Sequence, residues 1–117
     1  MAAARRDFFL TVQHGQFYQG KPVIGYDLPG FGDELCGLPY LPRLIAKARA
    51  KLVGSMGDDI IYCCENDRRF FRDHGNIHPA DFLRVVWAAG DSDPKVYDYV
   101  RQRTLSVSSA VPDNEQM

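Results

Sequence analysis

The sequence has no apolar run near the roughly 20 residues that a membrane-spanning helix needs, so no segment is expected to cross a bilayer as a helix. Charge of one sign is not in excess either. Fourteen Lys and Arg stand against 15 Asp and Glu, a formal net charge of −1, which removes any global electrostatic pull toward nucleic acid or an anionic membrane. Cysteine is scarce and odd in number: Cys36, Cys63 and Cys64. Without an apolar stretch of signal-peptide type behind the basic residues Arg5 and Arg6, that count predicts free thiols in a reducing cytoplasm. There is no Cys-x-x-Cys, and adjacent Cys63-Cys64 does not let two thiolates reach one metal easily. His74 and His78 are separated by Gly75 and Pro79, which break any helix that would align them, so neither a metal site nor a cofactor is expected. Gly30-Phe31-Gly32 lacks the third glycine and the strand–helix setting of a dinucleotide loop, and no Gly-Lys-Ser/Thr follows it. Heptads and internal repeats are absent, which excludes coiled coils and solenoids.

What remains is the composition of one ordinary globular domain: 117 residues, 45% hydrophobic and 25% charged. Its clearest element is the stretch 38–54. Pro42 suits a first helical turn and Gly54 a position just past the end. Leu41, Leu44, Ile45, Ala48 and Leu52 fall on one helical face. Arg43, Lys47 and Lys51 form a second stripe beside it with no acidic residue inside the segment. That stripe is either a solvated face or a site for a small anion or an acidic protein partner.

Three further helices are expected from caps and breakers. Asn66 or Asp67 caps a helix over 68–74, closed by Gly75. His78 caps the next, with Pro79 at its first position, Ile77 and Phe82 placed for a hydrophobic staple, and Gly90 at its end. Asp93-Pro94 opens the last, which carries Val96, Tyr97 and Val100 inward to about residue 103. Residues 60–64 read as a short apolar segment under the helices, and 27–39 as an ordered Gly/Pro-rich loop. Residues 7–13 and 22–26, rich in aromatic and β-branched side chains, read as two strands of a small hairpin. The expected fold is therefore mainly α, a compact bundle of about four short helices with a small N-terminal β-hairpin. It divides into an N-terminal extension 1–26, a helical domain 27–104 and a flexible tail 105–117.

Leu41-Pro42-Arg43 with Lys47-Ala48-Arg49-Ala50 resembles the leucine-proline-arginine helix of the bacterial domain-of-unknown-function 5069 family. Tyr62, Cys64, Asp67, Phe70 and Phe71 resemble that family's tyrosine, cysteine-proline-leucine-aspartate and double-aromatic segment, with Glu65-Asn66 in place of proline-leucine. Phe82, Val86, Gly90, Asp93, Val96 and Val100 resemble its closing helices, so the likeness covers residues 37–103. It implies a small helical domain in the cytoplasm and no established activity.

Two functions follow as expectations. The first is a soluble, non-catalytic binding or interaction domain, a homodimer, using Arg43, Lys47 and Lys51 with the N-terminal aromatics Phe17, Tyr18 and Tyr26. The alternative is a small enzyme acting on an anionic metabolite. There Arg43 binds, Asp67 or His74 moves a proton, and Cys64 is a nucleophile activated by the start of the following helix. Arg43 is also expected to pair with Asp67, fixing one helix on another, which leaves Lys47 and Lys51 as the residues without a local partner.

Overall fold

A computed structural model describes residues 2–115, with side chains through residue 106. Among the described residues there are five α-helices, one hairpin and a single 3-10 turn (Gly25–Asp27): α1 (Ala2–Thr11), β1 (Glu34–Leu35), β2 (Leu38–Pro39), α2 (Leu41–Val53), α3 (Glu65–Asp73), α4 (Pro79–Ala89) and α5 (Asp93–Glu115). The class is mainly α, with one small antiparallel hairpin, as the sequence predicts.

Helix α2 is the centre. It packs on α1, α4 and α5 and also meets the hairpin. Its apolar face is the one the spacing implies, since Leu41, Leu44, Ile45, Ala48 and Leu52 are all buried. Gly54 ends it at φ 82, a left-handed conformation that costs glycine little, and donates its N–H to Ala50 O at 2.9 Å. The start is less regular. Tyr40, the N-cap, sits at φ 75, where a bulky side chain is an outlier that the surrounding structure must hold in place.

The other helices complete one core. Phe82, Leu83 and Val86 of α4 and Val96 and Val100 of α5 are buried against α2. His78 caps α4 by accepting the Ala80 N–H on Nδ1 at 3.1 Å, and Ile77 and Phe82, both buried, occupy the two staple positions. In the segment 60–64, Ile60 and Tyr62 turn inward while Ile61 remains 67% exposed.

The N-terminal third departs from expectation. Residues 7–13 do not form a strand. They lie in and just beyond α1, which begins at Ala2. Three consecutive alanines favour the helix, and the i, i+4 pair Ala4 and Phe8 faces the domain. Ala4 is buried, and Phe8 meets Trp87 edge-on at 5.3 Å. The segment 22–26 finds another partner. Val23 bridges Met56 in parallel, with its N–H on Ser55 O and its C=O accepting from Gly57 N, both at 2.6 Å. The hairpin instead occupies the stretch read as a loop. Leu35 pairs with Leu38 across a two-residue turn in which Cys36 has φ 52 and Gly37 φ 83, the paired positive values of a type I′ turn. Helix α5 passes residue 103 and continues to Glu115. The side chains of most of the expected tail lie outside the described residues.

Truncating Phe82 to Ala removes the largest fully buried side chain, and the cavity should cost about 3–5 kcal/mol. Urea denaturation should show a lower midpoint with an unchanged slope.

Candidate functional site

Where α2 passes the start of α3, a charged pair is sealed into the domain. Lys47 is 3% exposed and Asp67 0%. The Lys47 ammonium donates to Asp67 Oδ2 at 2.8 Å and Oδ1 at 3.1 Å, and its remaining direction points to Cys64 Sγ at 3.4 Å. Asp67 is the third residue of α3. Its Oδ2 also accepts the backbone N–H groups of Cys63, just before the helix, at 2.8 Å and of the N-cap Cys64 at 3.3 Å, the latter a donor that the start of a helix would otherwise leave unpaired. The Tyr40 hydroxyl donates to Oδ1. Two ions are thus taken out of water at a desolvation cost that only dense hydrogen bonding offsets.

This arrangement corrects the expected Arg43–Asp67 pair. Arg43 lies one turn earlier on α2, over the loop that precedes the hairpin. There its guanidinium stacks on Phe31 at 4.2 Å, and NH1 donates to Pro29 O at 3.1 Å. Arg43 Nε is buried with no hydrogen-bond partner among the described residues. Lys51, one turn beyond Lys47, reaches neither group and lines a separate cleft with Arg5 and Met56. The basic stripe therefore divides into one buried ion, one stacked arginine and one remote lysine.

Arg43, Lys47 and Cys64 open onto a cleft of about 200 Å³ whose other walls include Phe31, Tyr40 and the loop residues Asp59 and Ile61. Phe31, Tyr40 and Asn66 also border a neighbouring cleft of about 230 Å³ that contains His74. His74 stacks on Phe70 at 4.1 Å, and its Nδ1 lies 2.8 Å from Phe70 O. The structure thus brings Cys64, Asp67, Lys47 and Tyr40 together and places His74 on a different cleft, while His78 is engaged as a cap. No group of three or more His, Cys, Asp or Glu that could hold a metal ion is present among the described residues.

Burial raises the Tyr40 phenol far above its ordinary value, and the adjacent Asp67 carboxylate adds to the effect. Tyr40 accordingly stays a proton donor to the carboxylate. Burial likewise raises Tyr62, whose hydroxyl donates to Pro79 O at 2.8 Å, and the Cys63 thiol, where Arg68 partly offsets it. Cys64 is half-buried at the N-cap of α3, with its sulfur facing the Lys47 ammonium. Sequence reasoning missed Tyr40, Phe31 and Asp59. Tyr40 sits in a Pro-Tyr-Leu-Pro string whose left-handed turn has no compositional marker, and the other two reach the cleft only through loop packing.

These features define a small helical domain with a polar cleft built over a buried lysine–aspartate pair. A family model, Domain of unknown function (DUF5069), matches residues 32–111, and the chain belongs to that family. The matched region contains the hairpin, Arg43, Lys47, Asp59, Cys64 and Asp67, while Phe31 and everything before it lie outside. No curated protein and no solved structure matches the chain. No helix among the described residues is long and apolar enough to cross a membrane.

Removing one partner of the buried pair, as in Asp67→Ala or Lys47→Ala, should cost about 3–5 kcal/mol. The double variant Lys47→Met/Asp67→Leu should cost less than the sum, as read by urea denaturation. Alkaline pH gives a second check. A phenol whose folded value is raised contributes stability that is complete below its unfolded value, 10.0, and is lost as pH rises beyond it. Denaturation midpoints should therefore fall above pH 10, less steeply in Tyr40→Phe.

Proposed function

We infer that this domain is a non-catalytic binding module that holds a small molecule through an anionic group in the Arg43 cleft. The reading is carried by the state of Arg43. Phe31 and the Pro29 carbonyl fix its plane, yet only one of its five N–H donors has a hydrogen-bond partner among the described residues. A planar, pre-positioned fork of this kind is suited to bidentate contact with a carboxylate or phosphate. The volume is below the 300–1,000 Å³ usual for drug-sized ligands, which favours a metabolite of a few heavy atoms. Lys47, expected to bind the ligand, is better read as a wall of the cleft because Asp67 and Cys64 take its three donors. The free thiols fit a reducing, cytoplasmic setting.

A second reading is favoured by one observation. Cys64 Sγ lies 3.4 Å from the Lys47 ammonium at the positive end of α3 and opens onto the same cleft. A Cys64 nucleophile acting on an anion held by Arg43 is therefore the enzymatic alternative.

Thermal melts against small carboxylates and inorganic phosphate test the first reading. A ligand at 100 times its Kd should add about 2.7 kcal/mol of stability. The gain should vanish in Arg43→Ala and persist in Lys51→Ala, and no gain with any of these anions would refute the reading. The second reading is tested by alkylation. Iodoacetate, an anion, should modify Cys64 faster than neutral iodoacetamide does, with the preference lost in Arg43→Ala. Equal rates at Cys64 would exclude a substrate-guided nucleophile.

A further inference from the structure

The charges facing the Arg43 cleft do not add up to an anion site alone. Arg43 and Lys47 bring two positive groups, and Asp59 brings a negative one. Lys47 is cancelled locally by Asp67, and its donors are consumed. The Tyr40 hydroxyl is likewise spent on Asp67. Two charges remain with open valences. Arg43 is held by the Pro29 carbonyl through NH1 alone. Asp59 is held by the Gly25 N–H on Oδ2 at 2.9 Å, and no hydrogen bond to Oδ1 is made among the described residues. Each is anchored by one backbone contact, and no ion pair joins them among the described residues. The uncharged lining is Tyr40, Cys64 and Asn66 together with the apolar Phe31, Ile60 and Ile61, of which Phe31 and Ile61 are exposed and Ile60 is buried.

A simple anion in this space meets an attractive arginine and a repulsive carboxylate. Like charges a few ångströms apart at a partly wet site cost about one order of magnitude in affinity. A zwitterion meets two attractions. We propose that the ligand of the Arg43 cleft is a small zwitterion of the apolar α-amino-acid class, with its carboxylate on Arg43, its ammonium on Asp59 and its side chain against Phe31 and Ile61. The assignment rests on the anion-binding reading of Arg43 and narrows it. A volume of about 200 Å³ accommodates a free amino acid and not a nucleotide. A single carboxylate in the lining makes a cation site poor, because hard cations require several oxygens.

The full chain would be titrated calorimetrically with L-valine, L-leucine and L-methionine. The leucine analogues isocaproate, which lacks the ammonium, and isoamylamine, which lacks the carboxylate, would follow. At least one amino acid should bind, and each leucine analogue should bind at least about tenfold more weakly than leucine. Asp59→Asn keeps an acceptor for Gly25 N–H and removes the charge, so it should weaken the amino acid about tenfold and leave isocaproate unchanged or tighter. Arg43→Ala should lose both acids. Isocaproate binding the wild-type chain as tightly as leucine would overturn the zwitterion and leave the Arg43 reading standing. Binding of isocaproate without any of the amino acids would do the same. Acids bound equally by wild type and Arg43→Ala, or no acid bound at all, would overturn both. The comparison of leucine with its analogues needs no variant, so it decides the question even if Asp59→Asn fails to fold.

Discussion

The Lys47–Asp67 pair is the constraint around which the remaining features arrange themselves. It joins the middle of α2 to the first turn of α3 through an interaction that has no solvated fallback. Once the carboxylate is buried, its environment must supply donors from several directions, and it does so from three parts of the chain: the α2 lysine, the Tyr40 hydroxyl before α2, and the Cys63 and Cys64 amides. Hydrophobic area alone would let α3 slide along α2 at little cost, because apolar contact is non-directional. A carboxylate with fixed partners does not permit that. The left-handed Tyr40 is explained by the same demand, since its phenol must reach Asp67 while its backbone opens α2.

The pair also changes the electrostatics of the surface above it. Three basic residues in steps of four along a helix suggest a uniform cationic stripe. Burial of the middle one against a carboxylate removes it from that surface, and the outer two are left in different clefts. The positive charge that remains on the cleft beside the pair belongs to Arg43 on its aromatic platform, not to α2 as a whole. What surrounds that charge depends on neighbours that a helical wheel does not contain.

That distinction accounts for what was legible in the sequence. The apolar face of α2, the caps of α4 and the inward residues of α5 are encoded locally, in spacing and in Pro, Gly and His at termini, and the structure follows them. The resemblance carried by residues 37–103 holds over a longer stretch. Pairing across the chain was not legible. Arg43 and Lys47 lie on one stripe, and only the positions of the 29–31 loop and of α3 decide which of them meets Asp67. In α1, the aromatic pair Phe8-Phe9 carries β propensity, but the preceding alanines and the contact of Phe8 with Trp87 outweigh it. The turn at Cys36-Gly37 did leave a trace, a glycine in the pair between Leu35 and Leu38, but a cysteine at its first central position is not the usual I′ residue.

Val23 lies between the Ser55 carbonyl and the Gly57 amide, and two residues later the Gly25 N–H holds the Asp59 carboxylate. Pro29 and Phe31, a few residues on, hold Arg43. Every one of these holding groups precedes the part of the chain that matches the family, and both of the charges they hold lie within it. The matched region therefore carries the two charged side chains, and residues 23–31 hold them by backbone and ring contacts, while α1, nearer the N-terminus, belongs to the core through Ala4 and Phe8. A chain with the same helices and a different 23–31 segment would keep its charge inventory while holding the two charges in another arrangement. The geometry of the cleft is thus set in part by a strap that lies outside the helices.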